Sequence, residues 1–326
     1  MISLAIVGCG KHSIARIIPQ VVESSDFNCL WVADPDLDAA QMAAKKLGSV
    51  KTHSDWRKGI DEQKPEAIIV VASPDVHFAV SKEALMADIH VMTEKPPCID
   101  IQQMTVLAGL AKQKGLATIV GHNLRHSDAA VFASDAMADD AFGRVSSISI
   151  SYHASNPRGL RWSLIDIRKA FLLSHFIHAL DYASFLTKDQ GFKLEHVTCN
   201  TGVGVSVHAV LSCNSSDATV SLMASNDAPH FDFRALAVGD ARSIVVQSGL
   251  DYVEFSSLSF AKRTGRFWKS KSIPTGSDQS GYLSEVRCFA NAIRNPRRRD
   301  NCRPNFNTAL VNYRVIADIE KHLDLN

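Results

Sequence analysis

Two stretches carry the side chains best able to do chemistry. In EKPP, Glu94 to Pro97, a lysine follows the apolar run DIHVMT and precedes two prolines. A lysine at the carboxyl end of a buried strand sits where open α/β sheets bind their ligands. There Lys95 can donate a hydrogen bond to a substrate oxygen, and partial desolvation or a nearby cation would lower its pKa. Pro96 and Pro97 restrict the backbone that aims it. In FLLSHFIHALD, Phe171 to Asp181, His175, His178 and Asp181 recur at intervals of three. On a helix, such residues lie near one another on one face. This trio admits three readings: an acid–base histidine with supports, a metal site, or histidines satisfied inside a core.

A third group lies in the loop NPRGLRWSLIDIRK, where Arg158, Arg161, Arg168 and Lys169 oppose Asp166, with Trp162 among them. It reads either as a solvated loop or as a site for a carboxylate, a phosphate or a sugar-nucleotide diphosphate, with Trp162 stacking on a ring. Arg125 and His126 are expected nearby. The later basic run PRRRDN reads as solvated surface rather than a nucleic-acid contact.

The elements that must position these groups alternate through the first third of the chain. ISLAIVG, NCLWVADP, AIIVVASP, DIHVMTEKPP and LATIVGHN read as strands, separated by helical spacers such as IARIIPQVVESS, LDAAQMAAKKLG and IQQMTVLAGLAKQKG. Apolar strands alternating with amphipathic helices imply a doubly wound parallel sheet, placed at residues 1–121. Pro19 is expected to kink the first helix or delay its start. Beyond it, a helix near Ser127–Ala138, the alternating strand RVSSISISYHA and the histidine helix precede several β-like runs from Phe192 to about Lys271. Their short connections predict mostly antiparallel pairing. Two helices, about Tyr282–Ile293 and Thr308–His322, close an α+β domain read as residues 122–326, with one large sheet.

Composition narrows the class. The chain has 326 residues, 46% hydrophobic and 21% charged, with a formal net charge of +1. That balance supports a sizeable core and no global field for nucleic acid or an acidic membrane. Seven scattered cysteines without a C-x-x-C fit reduced thiols and a cytoplasmic location. No basic leader opens the chain, and no apolar run is long enough to span a membrane.

GCGKHS, Gly8 to Ser13, joins the first strand to the first helix. Gly8 permits the tight turn, and Gly10 lets the backbone approach a pyrophosphate at a helix N-terminus. Ser13 stands where a third glycine often sits. Asp34 ends the second strand, twenty-one positions after Ser13. A carboxylate there accepts hydrogen bonds from a ribose 2′-OH and repels a 2′-phosphate, so the expected cofactor is NAD(H) rather than NADP(H). Glu94 would orient the nicotinamide ribose or Lys95.

With these pieces in place, the chain resembles the Gfo/Idh/MocA oxidoreductases, a family related to glucose-fructose oxidoreductase and inositol dehydrogenase. IVGCGKHS resembles its dinucleotide loop, which implies cofactor contacts from Gly8, Cys9, Gly10, Lys11, His12 and Ser13. ASPDVHFAVSKEAL resembles its T-P-x-x-x-H segment, with Ser73 for threonine, and implies Ser73, Pro74 and His77 at the cofactor. MTEKPP is similar to its E-K-P motif, and VGHNLRHS to its N-x-R-x segment, implying roles for Glu94, Lys95, Asn123 and Arg125. The family's D-x-x-x-H-x-x-D helix is matched at His178 and Asp181, but Ser174 replaces the first aspartate.

The resemblance implies a nicotinamide-dependent oxidoreductase acting on a sugar, cyclitol or related polyol, with Lys95 and His178 handling the hydroxyl proton. Arg125, Arg161, Trp162, Ser174, His175 and His178 form the expected substrate set. Asp181 is expected to anchor its helix, and no metal is required. Two alternatives stand beside this: a non-catalytic NAD- and sugar-binding sensor, favoured by Ser174, and an imine or enone reductase using Lys95 as acid. One face of the large sheet needs covering, so a homodimer or homotetramer is expected.

Overall fold

Uninterrupted apolar character makes the first strand, β1 (Ile2–Val7), a buried one, with Leu4, Ala5 and Ile6 fully enclosed. The computed structural model describes all residues except 156–157, 241, 247–251, 258–268, 273–277 and 326, and describes backbone alone at 141, 242–246, 252–257, 269–272 and 298. β2 (Phe27–Ala33), β3 (Lys51–His53), β4 (Ala67–Val70), β5 (His90–Glu94) and β6 (Thr118–Gly121) join β1 in a parallel sheet of order β3-β2-β1-β4-β5-β6. The chain reverses direction across the sheet at β1, which makes the carboxyl ends of β1 and β4 the switch point for ligands.

Helices α1 (Ile18–Ser24), α2 (Leu37–Lys46), α3 (Trp56–Glu62), α4 (Pro74–Met86) and α5 (Ile101–Lys114) connect these strands. Their ends follow local chemistry: the Asp36 carboxylate accepts the Asp38 and Ala39 N–H groups, Asp100 accepts that of Gln103, and Gly115 closes α5 at φ 61°. At Pro19 the expected irregularity is a π turn, Ser13–Ile17, in which the Ile18 N–H reaches five residues back to the Ser13 carbonyl. Pro19, which has no N–H to give, follows in the first turn of α1.

β3 and α3 escaped the sequence reading. β3 has only three residues, and α3 is polar with a glycine inside it. Gly59 is required by packing, because a Cβ there would lie 2.8 Å from the Trp31 ring.

The second sheet is built from β7 (Val145–His153), β8 (Phe192–Thr201), β9 (Val205–Cys213), β10 (Thr219–Ser225), β11 (Asp232–Gly239), β12 (Arg242–Val246), β13 (Tyr252–Ser257) and β14 (Lys269–Ser272). Its order is β14-β13-β12-β11-β7-β10-β9-β8. All pairs are antiparallel except β7 with β10, whose connection contains the histidine helix and the β8–β9 hairpin. β14 was not foreseen, and parts of the predicted strands SIVVQS and DYVEFSSL lie outside the described residues. α6 (Asp128–Ala138), α7 (Ile167–Phe171) and α8 (Ile177–Leu186) accompany this sheet. Among the described residues, no helix is long and apolar enough to cross a membrane.

Packing divides the chain into a first unit, Met1–His122 with Tyr282–Leu310, and a second, Asn123–Gly281 with Val311–Asn326. The continuous block expected from 122 to 326 is therefore corrected. Helix α9 (Tyr282–Arg294) returns to the first unit because its apolar side belongs to that core. Val286, Phe289, Ala290 and Ala292 cluster with Ile2, Ile17 and Phe27, and Phe289 stacks on Phe27 at 6.0 Å. The division falls inside α10 (Phe306–His322).

Candidate functional site

In the first unit, the glycine loop is shaped by close approach. Gly8 has φ 92°, and a Cβ on it would sit 2.1 Å from the Val71 carbonyl oxygen, so no side chain fits. A Cβ on Gly10 would meet nothing within 4 Å, which leaves open space above the loop. Asp34, at the end of β2, holds the loop from the side: its Oδ2 accepts the Cys9 N–H at 2.7 Å and its Oδ1 the Asp36 N–H at 2.9 Å. Carboxylate oxygens accept more than one bond, so this use is compatible with reading a ribose hydroxyl. Ser13 Oγ is buried and has no hydrogen-bond partner among the described residues. Lys11 and His12 are exposed beside it.

Glu94, at the end of β5, is buried, and its Oε1 lies 3.1 Å from His12 Nε2. Its Oε2 accepts the Lys95 N–H at 3.2 Å. Burial alone would raise the Glu94 carboxyl, but the His12 bond and the charges of His12, Lys95 and His77 hold it below the ordinary value. Gly121 makes room for it, since a Cβ there would lie 3.0 Å from the carboxyl carbon.

His77 has a different task from the cofactor contact expected of it. The ring is 1% exposed, and its Nε2 accepts the Ala72 N–H at 2.8 Å. The neutral ring therefore carries its proton on Nδ1, which donates to the Pro96 carbonyl at 2.8 Å. Burial lowers the His77 pKa to about 4, which keeps the ring neutral. Both nitrogens are spent joining the ASP segment after β4 to the EKPP backbone, so His77 positions the peptide beside Lys95. Ser73 precedes α4 and Pro74 opens it.

In the second unit, FLLSHFIHALD is not one regular helix. α7 passes into a π turn, Leu172–Phe176, in which the Ile177 N–H reaches the Leu172 carbonyl five residues back, and then into α8. Uniform α-helical spacing from Ser174 to His178 is thereby corrected, because a π turn carries more residues per turn; such turns recur at functional sites. Ser174 Oγ donates to the Ala170 carbonyl at 2.6 Å and lies 2.7 Å from His175 Nδ1. With the hydroxyl proton committed, Nδ1 of His175 is the donor in that pair. The His175 ring stacks on Phe171 at 5.3 Å.

His178 is 9% exposed and stacks on Tyr152 of β7, with centroids 5.1 Å apart and 8° between planes. Tyr152 was not singled out from sequence, although the alternation of RVSSISISYHA places it on the inward face with Ile148 and Ile150. Burial pushes its phenol up to about 12.

Arg125 is removed from the substrate set. It is 2% exposed; its Nε and Nη2 donate to the Asp181 carboxylate at 2.8 and 2.5 Å, and Nη1 donates to Asp189 at 3.2 Å. Burial disfavours the charged guanidinium, but Asp181 and Asp189 outweigh that cost and hold its pKa above the ordinary value. Burial raises the Asp181 carboxyl, with Arg125 and Asn312 pulling it back. Asp181 thus anchors α8, as expected.

The basic loop is partly neutralised. Arg168 is bound by Asp166 at 2.7 Å, and Lys169 faces Glu320 at 3.4 Å. Arg161 is exposed, with its guanidinium 5.2 Å from the Trp162 ring centre. Trp162 and Ser163 both adopt left-handed φ values, 54° and 60°, a costly arrangement for side chains of this kind. Asn156, at the start of this loop, lies outside the described residues. Asn123 Nδ2 donates to the Ser280 carbonyl at 2.8 Å. Among the described residues, no group of three or more histidine, cysteine, aspartate or glutamate side chains is arranged to hold a metal.

Residues 2–122 match the family model described as GFO_IDH_MocA, oxidoreductase family, NAD-binding Rossmann fold. D-glucoside 3-dehydrogenase of Escherichia coli is 26% identical over 38% of this chain and 34% of its own length. Levoglucosan dehydrogenase of Pseudarthrobacter phenanthrenivorans is 25% identical over 37% of this chain and 31% of its own length. The chain spans less than half the length of the curated relatives it matches first. The crystal structure of a dehydrogenase from Chromobacterium violaceum shares the fold with a TM-score of 0.89 at 24% identity, covering 97% of this chain and 93% of that one.

Proposed function

Because the chain belongs to the Gfo/Idh/MocA oxidoreductases, with an NAD-binding Rossmann fold, we propose that it moves a hydride between nicotinamide and a ring C–OH/C=O of a sugar, cyclitol or sugar derivative. The observation that carries this reading is the edge formed by Gly8, Gly10, Asp34 and Glu94 around the switch point of the parallel sheet. It suits a dinucleotide: Gly10 leaves space, the partnerless Ser13 Oγ stands at the helix start, and the carboxylates of Asp34, Asp36 and Asp38 disfavour a 2′-phosphate. NAD(H) is accordingly the preferred cofactor. When bound, it supplies the hydride-transfer chemistry.

The residues of this chain supply position and proton handling. Lys95, on a backbone fixed by the His77–Pro96 bond, donates to the substrate oxygen. His178, oriented by Tyr152, accepts the proton as a hydroxyl becomes a carbonyl. Arg161, Trp162 and His175 complete the substrate contacts. The Escherichia coli D-glucoside 3-dehydrogenase and the Pseudarthrobacter levoglucosan dehydrogenase, by the substrates in their names, support a sugar-like substrate. The open face of the second sheet is covered by another copy in a homodimer or homotetramer; sedimentation as a monomer at micromolar concentration would remove that part.

The test follows nicotinamide absorbance as the protein and NAD(H) meet a panel of sugars, sugar acids and nucleotide sugars. Turnover of one substrate with NAD(H) preferred to NADP(H) is the expected result; absence of cofactor binding would overturn the reading. Binding of both ligands without turnover would favour a sensor, the reading supported by Ser174, whose hydroxyl is engaged by Ala170 and His175.

A further inference from the structure

Three side chains from distant parts of the chain meet beside the glycine loop of the first unit. His12 stands in GCGKHS, Glu94 ends β5, and Tyr282 opens α9. His12 Nε2 lies 3.1 Å from Glu94 Oε1, and the Tyr282 ring stands edge-on to the imidazole, with centroids 5.9 Å apart and 65° between planes. The His12 side chain is 47% exposed and that of Glu94 9%, so a half-open ring is bonded to a buried acid. The proton in this contact has one place to be. Glu94 is held ionised by His12 and the charges around it, and a carboxylate only accepts, so Nε2 carries the proton and donates. Oε2 takes the Lys95 N–H at 3.2 Å. Each carboxylate oxygen has two acceptor sites, so each keeps one for a ligand.

Sheet order says which ligand group those sites face. The loop after β1 suits the pyrophosphate, and Asp34 follows β2 on one side of β1. β4 and β5 lie on the other side. β5 is three strand spacings from β2, roughly 14 Å. A dinucleotide whose adenosine ribose meets Asp34 therefore lays its nicotinamide ribose toward Glu94. We propose that His12 is a positioning residue: steadied by Tyr282, it donates to Glu94 and fixes the carboxylate that accepts the hydroxyls of the nicotinamide ribose. His12 thereby acts through Glu94 rather than by the direct cofactor contact expected of it, and this role rests on the dinucleotide reading above. The bond from His12 also opposes the burial that pushes the Glu94 carboxyl toward its neutral form, in which one oxygen would become a donor. Through Tyr282, α9 reaches the nucleotide loop as well as the core it packs on.

The test titrates the whole chain calorimetrically with NADH, with ADP-ribose, and with ADP, which has the pyrophosphate but no second ribose. His12→Phe keeps a ring beside Tyr282 and cannot donate; His12→Gln keeps an N–H donor close to the place of Nε2. His12→Phe should weaken NADH and ADP-ribose by about tenfold or more, the loss for one hydrogen bond to a charged group, and leave ADP affinity unchanged. His12→Gln should restore most of the NADH affinity. Glu94→Gln should show the same selectivity, and adding it to His12→Phe should cost little more, because both act through one contact. Equal losses for ADP and NADH would put His12 on the pyrophosphate and overturn the proposal, as would additive losses in the double variant. If His12→Phe fails to fold, His12→Ala serves in its place. A wild-type protein that binds none of the three nucleotides would remove the dinucleotide reading and this role with it; NADH binding that loses nothing at His12 would remove the role alone.

Discussion

The two units satisfy their buried polar side chains in opposite ways. In the first, His77 and Asp34 engage backbone N–H and C=O groups at strand ends, and Glu94 divides its carboxylate between the Lys95 N–H and the distant His12 ring. In the second, Arg125, Asp181, Asp189 and Asn312 engage one another from distant parts of the chain. Strand-end bonding shapes the edge at which the dinucleotide is proposed to bind; the side-chain network fixes the helix that carries His178. The difference teaches that the first unit's polar groups are placed to present a surface, and the second's to hold an element in register.

The comparison breaks most sharply at Lys95. Lys95→Ala should cut turnover by about 10²–10⁴, the usual contribution of a positioned acid–base group, with NAD(H) affinity little changed. Steady-state kinetics and a cofactor titration measure both; full activity would remove Lys95 from the chemistry.

In the second unit the matching change is Arg125→Met. It leaves the buried Asp181 and Asp189 carboxylates without their guanidinium, and breaking such a network costs about 3–5 kcal/mol. Denaturant unfolding should report that loss, and a change below about 1 kcal/mol would mean the network does not anchor α8.

Acid tests the first unit through two histidines. His77 and His90 are both lowered to about 4 by burial, and each accepts a backbone N–H, from Ala72 and Ala117 respectively. As pH falls from about 6.5, the unfolded chain takes up protons first, so this contribution is complete above 6.5 and is lost progressively down to about 4. For His77 it amounts to at most about 3 kcal/mol. His77→Gln should flatten part of the slope of stability against pH in that window, and His90→Gln a further part; an unchanged slope in the double variant would refute the assignment.

Asp34→Ala should weaken NAD(H) binding by roughly 1.5–3 kcal/mol and narrow the preference over NADP(H). Because Asp34 also holds the Cys9 and Asp36 N–H groups, some NADP(H) affinity should fall with it. Unchanged affinity for both cofactors in a fluorescence titration would mean that this carboxylate reads no ribose.

The smallest effect expected is that of Ser174→Ala, about 0.5–1.5 kcal/mol of stability for one hydrogen-bonded hydroxyl. Its sharper readout is the nitrogen NMR spectrum of His175, where loss of the Ser174 acceptor should change the population of the Nδ1–H tautomer. A spectrum identical to wild type would show that Ser174 does not orient the ring.

What the sequence by itself determined is the local and periodic part. Strand–loop–helix order located the parallel sheet, GCGKHS located the tight turn between β1 and the first helix, and EKPP located a lysine at a strand end. These patterns are legible because the residues concerned are close in the chain and their backbone requirements are severe, as the 2.1 Å approach at Gly8 illustrates. Tertiary structure alone decided the rest. It spent His77 on two backbone groups, withdrew Arg125 into an ion network, set Tyr152 against His178, and returned α9 to the first core. It also widened the helix at Leu172–Phe176, which spacing on an ideal wheel could not foretell. The physical reason is that a side chain's partner, unlike its periodicity, is chosen by whatever distant element packs beside it; Arg125 and Asp181 stand 56 residues apart and become neighbours only when the fold closes.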